Sequence, residues 1–424
     1  MIPLDEAIGT VLAGCSPLPP ISLPSREALG RVLAEPIVAS DAVPPFANTA
    51  MDGYAVRAAD LASAPVRLPV VAEVAAGSPA PRPLAAGEAM RIFTGAPMPE
   101  GADAVVMVEA TRRLDGGAAV ELLERVPPGN HVREAGEDVR PGDEVLAAGE
   151  ELTPARIGVL ASLGVAEVRV HPRPRVGVMS TGDELVQGSV PLRPGQIRDS
   201  NRPMLLALVA QAGFEPVDLG PVPDDEPAIT GAIERGVEGC DAVLSSGGVS
   251  MGDIDLVRVV LDRIGDMRWM QVAIRPAKPL AFGTLPAPGG ADGRRVPVFG
   301  LPGNPVSAHV SFELFARPGL RRLAGVGDDR LHRPRLSARA AEAFARRPDG
   351  KVHFARAVVT AREGGVLEAR SAGGQGSHQL AALARADGLL VLPDGDGVAA
   401  GDAVEVVLLG EPATVRTALR AVTP

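Results

Sequence analysis

At 424 residues the chain predicts about three domains, at roughly 150 residues per domain, and its 46% hydrophobic content excludes a mainly disordered protein. Aromatics are only 3%, with one Trp (Trp269) and one Tyr (Tyr54), which argues against base-stacking platforms, and a net charge of −10 excludes a globally basic nucleic-acid binder. Two cysteines, Cys15 and Cys240, build neither a disulfide scaffold nor a four-cysteine zinc site. No apolar run approaches the ~18–20 residues that cross a bilayer, and the acidic start Met1–Glu6 is unlike a signal peptide, so the expectation is a reduced, cytoplasmic protein.

Taken in chain order, residues 1 to about 40 read as mostly helical. Leu4, Ala7, Ile8 and Val11 share one face, and a second helical stretch is expected over Ser25–Leu33 with Ser25 as cap. From about 42 to 145 the segments are short, β-branched and bounded by turns, as in Val66–Val74, Ala89–Phe93 and Ala104–Glu109, which predicts a small all-β domain. A helix over Thr153–Leu163 and a strand over Val165–Val170 return to the earlier character, so the β domain reads as an insertion. Between 172 and 323, strands at Arg175–Ser180, Pro216–Leu219, Ala242–Ser245 and Val296–Phe299 alternate with helices at Asn201–Gln211, Pro227–Arg235, Ile254–Ile264 and Pro305–Leu314. Such βα units predict a doubly wound, largely parallel sheet. Strands at Lys351–Thr360, Leu389–Leu392 and Ala403–Leu409 predict a final small barrel or sandwich.

Ligands of open α/β sheets bind beyond the carboxyl ends of the strands. That rule selects four loops: Thr181–Glu184, Ser246–Asp255, Arg275–Pro279 (after a strand expected near Val272–Ile274) and Gly300–Pro305. In the second, Gly247 and Gly248 permit positive φ, so amides can converge on an anion, and Ser245, Ser246 and Ser250 add hydroxyls. Asp253 and Asp255 would repel that anion unless a divalent cation such as Mg²⁺ lay between; otherwise the run is a glycine turn with an aspartate helix cap. Arg275 and Lys278 flank Pro276 and can hold phosphate, and Lys278 stands out because only it and Lys351 are lysine among 42 basic residues. Thr181–Glu184 and Asp52-Gly53 read equally as turns. No histidine cluster, phosphate-binding Gly-x-x-x-x-Gly-Lys loop or nucleophile elbow is present, and Cys240 reads as a core residue.

The motifs together resemble the MoeA family, molybdopterin molybdenumtransferases related to the gephyrin E domain. They are Pro44–Ala55, Ile92–Pro97, Gly136-Glu137-Asp138, Ser180–Leu185, Ile197–Asn201, Ser245–Gly252, Lys278-Pro279, Leu301–Pro305 and Gln375–His378, in the family's order along nearly the whole chain. The resemblance implies an elongated helical region (1–41 and 142–171), an inserted β domain (42–141), a MogA-like molybdopterin-binding α/β domain (172–325) and a C-terminal β barrel (326–424). It also implies a homodimer with an inter-subunit active site, in which Asp52, Thr94 and Asp138 of one subunit meet Glu184 and Asp255 of the other. The implied reaction is molybdate-dependent cleavage of adenylylated molybdopterin, with molybdenum insertion and release of AMP.

By the same resemblance, Asp52, Thr94, Glu184 and Asp255 are the catalytic candidates, with Glu184, Asp253 and Asp255 for Mg²⁺. Substrate-binding candidates are Asp138, Asp225, Ser245, Ser246, Gly247, Gly248, Ser250, Arg275 and Lys278, with Arg356, Ser377 and Pro302 for molybdate. Transient contacts with a molybdopterin adenylyltransferase and with molybdoenzyme maturation factors are implied as well. Two positions depart from the family pattern: Arg275 stands where Lys is common, and Leu256 where an aromatic is common. The alternatives are a gephyrin-like scaffold without turnover, an adenylyltransferase, and a tungstate-preferring variant.

Overall fold

The computed structural model describes residues 1–248, 256–287, 293–362 and 365–410. At its centre a six-stranded sheet runs in the order Glu215–Val222, Arg175–Thr181, Ala242–Ser246, Arg295–Leu301, Pro279–Pro286, Asp266–Gln271. The first four strands are parallel, and the fifth runs antiparallel to both of its neighbours. The largely parallel sheet is therefore present, but its edge differs from expectation. The edge strand ends at Gln271, Val272 lies in the following loop, and Ile274–Arg275 leaves to pair with Val352–His353 of the C-terminal domain.

Alternation along the strands divides two cores. Val176, Val178, Leu244 and Phe299 face one side with the helices Asn201–Gln211 and Pro305–Ser311. Met179, Val243 and Val298 face the other with Glu226–Gly239 and Leu256–Ile264. The first core also takes Ala7 and Val11 from the helix Leu4–Ala13, far away in sequence. Ile2 ties that helix to the sheet edge: its amide donates to Gln271 O at 2.8 Å, and its carbonyl accepts from Ala273 N at 2.8 Å.

The rest of the N-terminal region is less helical than expected. The helix Pro154–Ser162 forms as predicted, with Thr153 Oγ1 accepting from Arg156 N. Within Ser25–Leu33, however, only a single 3₁₀ turn (Ser25–Glu27) forms, and Val32–Leu33 is a strand against Glu167–His171. Three constraints override the helical pattern: Pro24 precedes it, Gly30 adopts φ +70°, and Ser25 Oγ donates to Val165 O instead of capping.

The inserted domain is a six-stranded sheet, Ala104–Met107, Gly53–Val56, Ala89–Ile92, Val66–Val74, Ala119–Leu122, Thr111–Leu114. The C-terminal domain is a closed five-strand barrel: Val352–Ala361, Leu367–Ser371, Arg335–Ala340, Ala403–Leu408 and Gly388–Leu392, the last pairing back with the first. It joins the α/β domain through a buried charge cluster. Glu313 lies in a π turn (Phe312–Ala316), its side chain only 1% exposed, and it accepts from Arg333 Nε and Nη2 at 2.9 and 3.0 Å. Arg317 approaches the same carboxylate at 3.9 Å. Burial pulls the Arg317 guanidinium down to about 10, with Arg333 adding to the effect and Glu313 opposing it. Glu313→Ala leaves the buried Arg317 and the half-buried Arg333 without their counter-charge and is expected to cost about 3–5 kcal/mol. Thermal denaturation followed by circular dichroism checks this, and an unchanged midpoint would show that the cluster is solvated rather than structural.

Candidate functional site

Three strands of the sheet end at glycine-containing loops around a cavity of about 650 Å³. Thr181, Gly182 and Glu184 line it after the first strand, Ser246–Gly248 after the second, and Pro302–Pro305 after the third. The glycines are needed sterically. Gly247 has φ +100°, and a Cβ there would lie 2.9 Å from both Thr181 O and Thr181 Oγ1; Gly182, at φ +146°, leaves room for the Glu184 carboxylate folded over it. The loops are tied by Asn201, which opens the helix Asn201–Gln211. Its Nδ2 donates to Ser246 Oγ at 2.8 Å and to Gly303 O at 2.7 Å, while its Oδ1 is buried without a partner. Asp199 anchors this helix start, accepting from Ser180 Oγ at 2.7 Å and from Arg202 Nε at 3.0 Å.

Several expected ligand groups are already committed. Gly247 N donates to Leu301 O at 3.1 Å; Ser245, by contrast, has an unpaired hydroxyl, but it is buried and does not line the cavity. Asp225 caps the helix Glu226–Gly239, accepting from Ala228 N at 3.0 Å, and its neighbour Asp224 lines the cavity in its place. Burial, and then the nearby Asp183 and Glu184 carboxylates, push the Asp224 carboxyl above its ordinary value. Ser250, Asp253 and Asp255 lie outside the described residues. Leu256, at the position where an aromatic is common, does line the cavity. Asp224 and Asn201 were not singled out from sequence; Asn201 falls in the Ile197–Asn201 motif, while Asp224 is one of two adjacent aspartates.

A second cavity, of about 440 Å³, opens between the α/β domain and the barrel and is strongly basic. Arg275, Arg346, Arg347, His353 and Arg356 line it, with Asp349 and Gln375. Arg356 is fully buried: Nη2 donates to Gly374 O at 2.7 Å and Gly376 O at 3.1 Å, and Nε has no partner. Asp349 is held down to about 2, first by hydrogen bonding from Lys351 and then, against some burial, from His353. One loop joins the two cavities. Its Gly374 and Gly376 carbonyls bind Arg356, and its Ser377 carbonyl accepts from Val306 N at 3.1 Å, beside the Pro302–Pro305 wall. Lys278 is exposed; its neighbours Pro279 and Pro276 line the first and second cavities respectively.

Asp52, Thr94 and Asp138 stand apart, because no residue of 42–141 lines either cavity. Asp52 and Thr94 are nevertheless paired. Thr94 N and Oγ1 each donate to Asp52 Oδ1 at 2.7 Å, and these two bonds hold the exposed carboxyl below its usual range. Gly53 is required beside them, since a Cβ there would meet Val106 O at 2.1 Å. Asp138 is exposed, its amide bonded to Val43 O at 3.0 Å.

Comparison with known proteins agrees with this layout. Family profiles match residues 2–164 (MoeA N-terminal region, domain I and II), 177–322 (probable molybdopterin binding domain) and 337–409 (MoeA C-terminal region, domain IV). The molybdopterin molybdenumtransferase 2 of Mycobacterium tuberculosis is 42% identical, over 95% of this chain and 97% of that protein. The molybdopterin molybdenumtransferase of Haemophilus influenzae is 38% identical, over 96% and 98%. The crystal structure of the molybdopterin biosynthesis MoeA protein from Pyrococcus horikoshii OT3 superposes with a TM-score of 0.80 at 31% identity, covering 96% of this chain and all of that one.

Asn201→Ala removes both bonds that tie the loops. It is expected to cost about 1–2 kcal/mol of stability and to raise the KM of a ligand bound in the first cavity more than its kcat falls. Steady-state kinetics beside a thermal melt test this, and a kcat-only effect would show that the loops hold without the amide.

Proposed function

The chain belongs to the MoeA family, and from that premise we propose that it inserts molybdenum into adenylylated molybdopterin, consuming molybdate and releasing AMP. The coarser statement, a transferase of molybdenum cofactor biosynthesis acting on molybdopterin, rests on the names of its relatives. The finer one is supported chiefly by a single observation: the Gly374–Ser377 loop, which holds Arg356 in the basic cavity, also bonds Val306 beside the Pro302–Pro305 wall of the first, so two cavities of unlike chemistry are linked. A glycine-lined cavity at the carboxyl edge of an α/β sheet suits the pterin and its phosphoanhydride. A buried guanidinium with an unpaired N–H suits a tetrahedral oxyanion. In this reading Arg356, with Ser377 and Pro302, receives molybdate as substrate, and Arg275 and Lys278 hold phosphate.

Two dianionic ligands side by side need more positive charge than the first cavity supplies. Glu184 and Asp224 are hard oxygen donors whose mutual repulsion a divalent cation would relieve, so they suit Mg²⁺; Asp253 and Asp255, outside the described residues, are proposed as further ligands. When bound, that ion would neutralise the phosphoanhydride oxygens. Among the described residues no three carboxylate, histidine or cysteine side chains converge at metal-ligand spacing. The chain's own groups orient the ligand: Gly248 and the Pro302–Pro305 wall shape the pocket, and Asn201 fixes the loops around it.

The proposal extends to assembly and setting. The Asp52–Thr94 pair stands on a domain that lines neither cavity, which supports a homodimer in which Asp52, Thr94 and Asp138 face the first cavity of the partner. Cytoplasmic reaction is proposed too, with transient contacts to a molybdopterin adenylyltransferase and to molybdoenzyme maturation factors; among the described residues no helix is long and apolar enough to cross a membrane.

AMP release from purified adenylylated molybdopterin, with Mg²⁺, is expected to require molybdate. Tight binding without release would instead favour a scaffold, and release without molybdate would remove the insertion step. An equal mixture of Asp52→Asn and Glu184→Gln subunits is expected to regain about a quarter of wild-type turnover, because statistical pairing makes half the dimers heterodimers and each has one intact site of two. No recovery under proven subunit exchange would place the site within one chain.

A further inference from the structure

We propose that Arg91 is the positioning residue of the Asp52–Thr94 pair: clamped between two aromatic rings, it holds the Gly53 carbonyl and so fixes the corner from which Asp52 projects. The inference rests on the reading that Asp52 serves the reaction.

The local geometry concentrates on one corner of the inserted sheet. Arg91 lies directly across from Tyr54 in the antiparallel pairing of Ala89–Ile92 with Gly53–Val56. Its Nη1 donates to Gly53 O at 2.9 Å. The guanidinium carbon sits 5.1 Å from the Tyr54 ring centroid and 5.0 Å from that of Phe93, within cation–π range of both. Asp52 precedes Gly53 and Thr94 follows Phe93, so two of the residues the guanidinium contacts, Gly53 and Phe93, are the chain neighbours of the pair.

Two further observations separate this arrangement from ordinary packing. The corner is already constrained, because Gly53 lies so close to Val106 O that no Cβ would fit and Asp52 O accepts from Val108 N at 3.1 Å. The Val108 bond fixes the 52–53 peptide and the Arg91 bond to Gly53 O fixes the adjoining 53–54 peptide, so a rotation at Gly53 that would swing the Asp52 carboxylate away from Thr94 is opposed from both sides. The composition points the same way. In a chain with a single tyrosine and nine phenylalanines, the tyrosine and one phenylalanine flank this one cation. A lysine could supply charge here, but only a planar guanidinium can stack on two rings while donating to a carbonyl.

The test uses Arg91→Met, Arg91→Lys, Asp52→Asn and the Arg91→Met/Asp52→Asn double variant of the full chain. In molybdate-dependent AMP release, Arg91→Met is expected to lose about tenfold in kcat with KM changed less than about twofold. Arg91→Lys should recover only part of that loss, and it stands in if the Met variant does not fold. On the Asp52→Asn background the Arg91 substitution should add nothing, because the two act as a unit. Full multiplication of the two effects, or an effect on KM alone, would overturn the proposal.

Hydrogen exchange at the Thr94 amide, which donates to Asp52, gives a readout independent of turnover. It is expected to speed up at least tenfold in Arg91→Met while the strand Ala104–Met107 stays protected. Unchanged exchange at Thr94 would also overturn the proposal. If Asp52→Asn turned over at the wild-type rate while Thr94 exchange still responded to Arg91, the positioning would stand and only the role given to Asp52 would fall.

Discussion

The side-chain amide of Asn201 is the constraint on which the principal cavity depends. Three parallel strands deliver three loops to one edge of the sheet, but nothing in strand pairing fixes where those loops stand relative to each other. One NH₂ group does so, with its two hydrogens shared between Ser246 Oγ and Gly303 O. Asn201 is in turn held by the start of its helix, where Asp199 accepts from Ser180 and Arg202. Loop geometry is thereby referred back to the buried sheet, so the cavity inherits the rigidity of the core rather than the mobility common to surface loops.

A similar economy governs the basic cavity. Arg356 uses one nitrogen to hold two carbonyls of the Gly374–Ser377 loop and keeps Nε unpaired in a fully buried setting. Burying an unpaired cationic N–H is costly unless something compensates it. An oxyanion would provide that compensation, so the group that shapes the loop is also the one most in need of a ligand. Arg346 differs in charge balance: its Nε is likewise buried without a partner, but its Nη groups meet the Asp349 and Asp394 carboxylates as well as backbone carbonyls, whereas Arg356 meets no carboxylate among the described residues.

Legibility in the sequence followed the range of the interactions. The βα alternation, the glycine loops and the N-terminal helix are written in local patterns, and they formed where those patterns placed them. Ser25–Leu33 was misread because its partner strand, Glu167–His171, is about 140 residues away. The antiparallel edge was missed because no local signal states strand direction. Asp224 and Asp225 illustrate the limit at single-residue scale: either could cap, and only the Ala228 bond shows which carboxylate is left for the cavity. Asn201 reads locally as a helix cap, and its bridging role needs two loops that meet only in the fold. The basic cavity joins residues from two domains and could be anticipated only through family resemblance.

The helix Leu4–Ala13 has a consequence for how the protein is made. During synthesis it is made early, yet Ala7 and Val11 belong to a core whose later members, from Met270–Phe282 onward, follow roughly 260 residues later. At about 5–20 residues per second that is a wait of roughly 13 to 50 seconds with an apolar helical face uncovered. The inserted domain has its own two cores, drawn only from residues 54–132, and can close meanwhile. The nascent chain therefore carries a closed β domain beside a helix whose packing partners are still to be made, and that uncovered apolar face is the kind of surface a chaperone shelters.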